Sequence, residues 1–387
     1  MIVHVFNSSS VSGPERLVLP ALAEKSGRFL IVNLVEKRLE RLAESDPLEA
    51  LSRSLGLRYA AVPVSGRWDG EAMRALGELI AKEKAELVHA HAIKASIYAA
   101  RAARELKAIQ LVSTHHGVRG LPDLKTRLYE ILYRRFFLRS FDRILAVSTE
   151  DFETVLSSGL DAGKVRLHLN GADGRRVEPD SRAEESARAR EAWLPNEPSR
   201  EKLFLLGAVG RLSAEKDHDR LLSVLERLEW MGAPADWRCL MFGLGEREAE
   251  LRETSRRLGL ERRVIWMGYR DAVAQELAGL DLLLSFSKAE GLPINLIEAG
   301  WAGTPVMSTA VGGVKDLIPD DGYGVPVAPG EPVEESARRL AALTTASGRL
   351  VLDARGRRLQ ERVAAEFSRA RWLDRLREIY AELGASF

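Results

Sequence analysis

The chain has 387 residues, more than one hydrophobic core usually serves, so two domains are the first expectation. Hydrophobic residues make up 45% and charged residues 29% of the sequence, which excludes a disordered chain. The formal net charge of +1 at pH 7 excludes the global positive field that drives nonspecific binding of nucleic acid. Cys239 is the single cysteine, and no uninterrupted apolar run reaches the ~18 residues that span a bilayer. With no secretory signal at the N-terminus, we expect a cytoplasmic protein.

Short apolar runs alternate with longer amphipathic segments along the first half of the chain. This alternation is typical of βαβ units and a parallel sheet. The predicted strands are 2–6, 29–34, 86–90, 109–113, 143–147 and 165–169. The predicted helices between them include 14–25, 69–82 and 95–106.

Residues 171–200 interrupt this pattern, because they are rich in charged residues, Ser and Pro and have almost no apolar period. Within them, 183–193 has the character of a solvated helix. The pattern then resumes, with strands predicted at 203–209, 237–242, 264–266, 281–286, 305–308 and 324–327. The sequence therefore predicts two αβα domains, over 1–175 and 201–367, joined by a linker over 176–200. Ligands of such sheets bind in a cleft at the carboxyl ends of the strands.

The segment 285–305 carries the strongest chemical signal. A buried strand is followed by a turn and by a helix that begins near Pro293, where proline is well tolerated. The backbone N–H groups of 291–294 are available to an anion such as a diphosphate. Glu290 precedes the helix, and Glu298 lies inside it in a nearly apolar stretch. A buried carboxylate there needs hydrogen-bond donors, which a ribose diol supplies.

A second signal lies in the loop after the strand that ends at Val209. Arg211 and Lys216 are two cations at the carboxyl edge of a sheet, where they can neutralise a leaving diphosphate. Asp217-His-Asp219 resembles a metal-binding pattern, but Asp217 stands at a helix start and is interpreted as an N-cap. No metal site is predicted.

Together these stretches resemble the family-4 retaining glycosyltransferases, which have the GT-B fold of two Rossmann-like αβα domains. The match rests on the loop 209–216, the Glu290/Glu298 pair, and the following motifs 302–305 and 311–313. Supporting matches in the same order along the chain are 88–91, 113–117, 146–148, 170–173, 242–248 and 267–271.

The resemblance implies roles for individual residues of the second domain. Arg211 and Lys216 would bind the donor diphosphate, Glu298 the ribose, and Glu290 the transferred sugar. The donor site would also include Gly291, Leu292, Pro293, Ile294 and Asn295. For Tyr269 and Arg270 two alternatives stay open: they recognise the base, or they form a structural turn.

In the first domain, the resemblance places His116 near the reacting sugar and assigns a donor contact to Gly13 in the loop 7–15. Pro14 departs from the family pattern, because it removes an N–H group. His116 is either a positioning residue or a polar residue lining the cleft. The helix 368–387 would return to this domain. His89 and His91 have strand spacing, and we interpret one as packed at the sheet edge and the other as lining the cleft.

The implied reaction moves a hexose-type sugar from a nucleotide-diphosphate sugar to a glycan or glycolipid acceptor in bacterial cell-surface glycan synthesis. UDP-sugars are favoured and GDP-sugars come next, with retention of configuration and without metal or cofactor. Two alternatives stay open: an epimerase or phosphorylase on the same fold, and a catalytically silent nucleotide-sugar-binding partner protein. The segment 123–143 combines arginines with apolar residues and is a candidate for peripheral contact with the inner face of the plasma membrane, or a core-facing helix.

Overall fold

The computed structural model describes residues 1–37, 46–106, 109–115, 131, 133–174, 176–178, 180–270 and 276–385. They divide into two compact units. Unit 1 comprises Met1–Asn170 with Arg369–Phe387, and unit 2 comprises Gly171–Ser368. The residues 176–200, predicted as a linker, therefore belong to unit 2.

Unit 1 is built on a parallel sheet whose strand order is β3-β2-β1-β4-β5-β6-β7. The central strands are buried along their whole length, as parallel strands are when helices cover both faces of the sheet. The strands are β1 (Ile2–Phe6), β2 (Phe29–Glu36), β3 (Arg58–Val64), β4 (Leu87–His91), β5 (Gln110–His115), β6 (Arg143–Ala146) and β7 (Val165–Leu167).

Among the helices of unit 1, some begin after a residue whose side chain satisfies their first N–H groups, and others, such as the one that begins at Ala92, do not. The Asp69 side chain accepts from the amides of Glu71 and Ala72, and the Ser148 side chain accepts from that of Asp151. These helices are α1 (Gly13–Ala23), α2 (Pro47–Ser54), α3 (Gly70–Lys82), α4 (Ala92–Ala102) and α5 (Thr149–Ser157).

Unit 2 repeats the same architecture with the strand order β10-β9-β8-β11-β12-β13, again all parallel. Its strands are β8 (Phe204–Val209), β9 (Trp237–Phe242), β10 (Val264–Gly268), β11 (Leu282–Ser285), β12 (Val306–Thr309) and β13 (Val325–Val327). Its helices are α6 (Arg182–Trp193), α7 (His218–Trp230), α8 (Glu248–Arg257), α9 (Ile294–Trp301), α10 (Val314–Leu317), α11 (Val333–Leu343) and α12 (Ala346–Glu366).

The last helix, α13 (Arg369–Glu382), belongs to unit 1. Trp372, Leu376 and Tyr380 on its apolar face are buried. Among the residues that the structure describes, no helix is both long enough and apolar enough to span a lipid bilayer.

The prediction of two parallel αβα sheets is confirmed. The predicted pattern missed β3, which lies at the edge of its sheet and is half exposed. Its sequence includes Arg58 and Pro63, and neither fits the apolar run of a central strand. The predicted helix 183–193 corresponds to α6, whose residues Ala189, Arg190 and Trp193 are buried, so it is not merely solvated.

Candidate functional site

The two chemical motifs of unit 2 meet at one place in its sheet. Strands β8 and β11 are neighbours, with Leu282 opposite Leu206 and Leu283 opposite Gly207. The strand order reverses direction between them, and ligands of open α/β sheets bind outside the carboxyl ends of strands at such a point. Arg211 and Lys216 follow β8, and Glu290 follows β11.

Lys216 and Glu290 form an ion pair at this point. The Lys216 Nζ atom lies 2.6 Å from the Glu290 Oε1 atom, and the two side chains are 21% and 10% exposed. The Ser287 hydroxyl donates to the same carboxylate oxygen over 2.6 Å. The structure thus brings together a cation predicted to bind phosphate and the carboxylate predicted to contact the sugar.

Arg211 has an exposed side chain but a fixed backbone. The Nε2–H group of His218 donates to the Arg211 carbonyl over 3.2 Å, and burial lowers the pKa of His218 so that the ring is held neutral. Asp217 is the N-cap residue of α7, as predicted, but its side chain accepts no capping hydrogen bond. It pairs instead with Lys288, whose Nζ atom is 3.3 Å from Asp217 Oδ1.

Two glycines after β9 let the loop after β8 approach closely. A Cβ atom at Gly243 would stand 1.9 Å from the carbonyl oxygen of Gly210, and one at Gly245 would stand 2.2 Å from that of Leu212. The Leu212 amide donates to the Leu244 carbonyl over 3.0 Å. Gly243 and Gly245 therefore support the backbone on either side of Arg211.

The Val-Gly-Gly motif at 311–313, after β12, allows a similarly close approach to the loop that carries Glu290. A Cβ atom at Gly312 would stand 1.8 Å from the Glu290 carbonyl oxygen, and one at Gly313 would stand 2.5 Å from that of Gly291. The Gly313 amide donates to the Gly291 carbonyl over 2.5 Å. Only glycine lets these two backbones touch.

Helix α9 begins immediately after this loop, with Leu292 buried and Pro293 as the N-cap residue. Ile294 and Asn295 form its first turn, and the Asn295 amide group donates to the Val209 carbonyl over 2.6 Å. This bond ties the helix start to the end of β8. Glu298 lies in the next turn and is half-buried, so the prediction of a buried carboxylate was wrong in degree. Its ribose role stays a prediction.

Gly13, in unit 1, is the first residue of α1. Ser12 and Glu15 form a capping box there, and the Ser12 amide donates to the Glu15 carboxylate over 2.9 Å. Pro14 stands in the first turn, where no hydrogen-bond partner is lost. His116 lies outside the described residues, and the roles assigned to Gly13 and His116 stay predictions.

His115, one residue earlier, is buried at the end of β5 beside a carboxylate that the sequence did not single out. Its Nδ1 atom is 3.8 Å from Asp151 Oδ1, and the Ser148 hydroxyl donates to Asp151 Oδ2 over 2.8 Å. Both partners lie at the start of α5, after the next strand. A Ser-x-x-Asp spacing after an apolar run is the signal that could have found them.

His89 and His91 are both buried in the middle of the unit 1 sheet, so the interpretation that one packs at the sheet edge and one lines a cleft was wrong. They lie with His4, and candidate ligand atoms of the three rings lie within 4.8 Å of one another. Several of their nitrogens are engaged in hydrogen bonds. Both nitrogens of His89 are 2.6 Å from hydroxyls, those of Tyr380 and Thr114.

His4 completes this buried network. Its Nδ1 atom is 3.0 Å from His91 Nε2, and its Nε2 atom is 3.3 Å from the Tyr380 hydroxyl. Burial lowers the pKa of His4 to about 3, so the ring is neutral at pH 7. The three histidines thus form a buried hydrogen-bonded group beside Tyr380 of α13.

Tyr269 and Arg270 follow β10 at the same edge of the unit 2 sheet. The Tyr269 ring is 54% exposed, and Arg270 Nη1 is 3.4 Å from Glu276 Oε2. A role of Tyr269 or Arg270 in recognition of the base stays a prediction.

Two family models match the chain in succession. Residues 34–176 match the family described as Glycosyltransferase Family 4, and residues 189–355 match the one described as Glycosyl transferases group 1. Between them they cover most of the chain.

Curated relatives include an Escherichia coli UDP-Gal:alpha-D-GlcNAc-diphosphoundecaprenol alpha-1,3-galactosyltransferase. It is 22% identical over 99% of this chain and 97% of its own length. A Salmonella typhimurium lipopolysaccharide 1,6-galactosyltransferase is 28% identical, but over only 46% of this chain and 45% of its own length.

Solved structures with the same fold include Anabaena HepE in complex with UDP and glucose. That structure has a TM-score of 0.79 at 18% identity and covers 99% of this chain and 100% of its own. The apo form of the lipopolysaccharide outer core galactosyltransferase WaaB has a TM-score of 0.68 at 18% identity, with coverages of 99% and 100%.

Proposed function

The chain belongs to the family-4 glycosyltransferases and has the GT-B fold, and we propose that it transfers a hexose from a UDP-sugar to a lipid-linked or glycan acceptor. The observation that carries the proposal is the Lys216–Glu290 pair at the switch point of the unit 2 sheet. Lys216 and Arg211 bind the diphosphate, and Glu290 binds the sugar.

The proposed chemistry follows from these charges. As the bond between the anomeric carbon and the diphosphate oxygen breaks, negative charge develops on the leaving oxygen, and two cations at the strand ends stabilise it. The acceptor hydroxyl attacks the same face of the sugar and gives its proton to that phosphate oxygen. The configuration is retained, and no side chain has to act as a base.

The preference for a UDP-sugar is supported by the proteins that this chain resembles. The E. coli relative is named for UDP-Gal, and HepE was solved with UDP and with UDP-glucose. GDP-sugars are the next candidates. Glu298, in the second turn of α9, is proposed to bind the ribose hydroxyls that both classes share.

The test is binding of UDP, GDP and ADP by calorimetry, with Arg211→Ala as the variant. A hydrogen bond to a charged group is worth about 1.5–3 kcal/mol, so the variant should bind UDP roughly 10- to 100-fold more weakly. Lys202→Ala, which removes an exposed cation from the same unit, should leave the affinity unchanged. Equal affinities of wild type and Arg211→Ala would contradict the assigned site.

Turnover separates this proposal from its rivals. A transferase releases UDP in proportion to acceptor glycosylated, whereas an epimerase releases none in net turnover and a phosphorylase requires inorganic phosphate. Tight UDP binding without turnover of any sugar or acceptor would instead favour a silent binding partner.

The acceptor is proposed to be lipid-linked, in synthesis of a bacterial cell-surface glycan, with the protein docked at the inner face of the plasma membrane. Part of the basic segment 123–143 is described, and it supports this. Arg135, Phe136 and Arg139 are exposed, Phe136 by 60%. The Phe137 ring lies 5.7 Å from that of Trp68, which is 57% exposed. Arginines beside exposed aromatic rings suit an anionic lipid surface.

Sedimentation with vesicles of anionic and of zwitterionic phospholipid tests the membrane contact. Reversal of Arg134, Arg135 and Arg139 to Glu should abolish binding to the anionic vesicles at low salt and leave UDP affinity intact. The matched control reverses the three exposed arginines of α8, Arg252, Arg256 and Arg257. If both triple variants lose binding equally, the contact is a general charge effect and this part of the proposal fails.

A further inference from the structure

Glu290 is held by two donors on one of its oxygens. Lys216 Nζ and the Ser287 hydroxyl both lie 2.6 Å from Glu290 Oε1. Ser287 is only 2% exposed, whereas the Lys216 side chain is 21% exposed. One donor is therefore a buried neutral group on a short loop, and the other is a flexible cation that faces solvent.

Ser287 is itself fixed by the sheet. The hydroxyl of Thr309, the last residue of β12, donates to the Ser287 carbonyl over 2.6 Å. Thr309 is buried, and Gly312 lies against the carbonyl of Glu290 on the same side. The four residues from Ser287 to Glu290 are thus anchored at both ends, which leaves the Ser287 hydroxyl little freedom to move away from Glu290.

The two donors respond differently to the donor substrate, if the proposed function holds. A diphosphate is doubly charged, so it competes with Glu290 for the Lys216 ammonium group. Ser287 is buried and neutral, so the diphosphate does not draw its hydroxyl away from Glu290. Once Lys216 turns to the diphosphate, Ser287 is the donor that still orients the Glu290 carboxylate.

We propose that Ser287 is a positioning residue, which holds the Glu290 carboxylate against the transferred sugar after the donor diphosphate has drawn Lys216 away. Thr309 supports it through the Ser287 carbonyl. Loss of the Ser287 hydroxyl should slow the transfer of the sugar and leave the affinity for the nucleotide unchanged.

The test compares Ser287→Ala with Ser285→Ala, a control in the same segment whose hydroxyl is 3.5 Å from that of Ser287. UDP release from UDP-glucose and UDP-galactose is measured, together with the dissociation constants of UDP and of both sugars. For Ser287→Ala we expect kcat to fall about 10- to 100-fold with KM changed less than about threefold, the signature of an interaction made in the transition state. The UDP dissociation constant should stay within twofold, and Ser285→Ala should behave as wild type.

A second variant guards against a simple folding defect. Thr309→Val keeps the shape of the side chain but frees the Ser287 carbonyl, and it should lower kcat in the same direction by a smaller factor. Urea denaturation of each variant reports its stability separately.

The outcomes distinguish this inference from the proposed function. If wild type turns over a sugar and Ser287→Ala matches Ser285→Ala, the positioning role is overturned and the function stands. If Ser287→Ala weakens UDP as much as it slows turnover, the residue is structural and the inference is again overturned. If wild type binds UDP-sugars without turnover, the proposed function fails, and the positioning role, which is an effect on turnover, is overturned with it.

Discussion

The sheets of units 1 and 2 have the same strand order apart from a seventh strand, β7, in unit 1, yet their polar groups lie in different places. In unit 2, the polar groups follow the ends of the strands at the switch point. There Lys216 and Glu290, whose side chains are 21% and 10% exposed, form an ion pair. In unit 1, His4, His89 and His91 lie within β1 and β4, the two strands at its own switch point. They are fully buried and hydrogen-bonded to one another and to hydroxyls.

The difference shows that position along a strand, more than residue type, decides whether a polar group can serve a ligand. A side chain past the end of a strand can exchange a protein partner for a substrate. One inside a buried strand can only be satisfied internally, because an unmet hydrogen bond there costs about 1–3 kcal/mol. The histidines look more like a binding motif than Ser287 does, and they contribute to packing.

The largest expected effect is a loss of stability at low pH, and it comes from the buried histidines of unit 1. Burial lowers the pKa of His4 to about 3 and that of His168 to about 4. The unfolded chain binds these protons near pH 6.5 and the folded chain does not, so stability is complete above pH 6.5 and falls as the pH drops toward 4. Two such groups should cost roughly 4 kcal/mol between pH 7 and pH 5. Urea denaturation at several pH values measures it.

The control for this effect is His168→Asn, which removes one titrating group and should make the fall with pH about half as steep. A free energy of unfolding that is constant from pH 7 to pH 5 would mean that the histidines are hydrated, and the contrast with unit 2 would lose its basis.

The next effect tests the close backbone packing of unit 2. In Gly312→Ala, the new Cβ atom would clash with the Glu290 carbonyl, and the residue would keep a φ of +52°. We expect the free energy of unfolding to fall by about 3 kcal/mol and UDP to bind more weakly. Gly330→Ala is the matched control, with φ of +81° and no atom within 4 Å, and left-handed strain alone should cost about 1 kcal/mol. Equal losses in the two variants would show that the loop tolerates displacement.

The smallest effect is expected from Tyr380→Phe, which removes the hydroxyl shared by His89 and His4. Loss of these bonds should cost about 1 kcal/mol and leave UDP affinity unchanged. Tyr323→Phe, which keeps the ring contact with Arg362 in unit 2, should cost nothing measurable. A change in UDP affinity for Tyr380→Phe would mean that the histidine group is coupled to the donor site.

Much of this could be predicted from the sequence because buried parallel strands leave continuous apolar runs. The runs 2–6 and 237–242 coincide with β1 and β9, and the loops after β8 and β11 were recognisable from Gly, charge and proline placed after such runs. The edge strand β3 escaped because only one strand neighbours it, so its residues need not be apolar.

Contacts across strands could not be predicted, because they depend on which strands are neighbours. His4 lies opposite His89 only because β1 pairs with β4. Its hydrogen-bond partner His91 is 87 positions away in the chain. Nothing local in the sequence indicates either contact. The Lys216–Glu290 pair joins residues that are 74 positions apart. Both motifs were recognised singly, but the direct contact between their side chains came from the topology.

The return of α13 to unit 1 bears on the order in which the chain can fold. Tyr380 and its partner His89 are separated by 291 residues, and the whole of unit 2 is synthesised between them. Unit 2 is continuous and can close as soon as residue 368 has left the ribosome. Unit 1, although it is made first, must wait with its histidine face uncovered until its final helix arrives. The nascent protein thus exposes this normally buried face for most of its synthesis, which makes unit 1 the half of the molecule that is more open to aggregation before folding is complete.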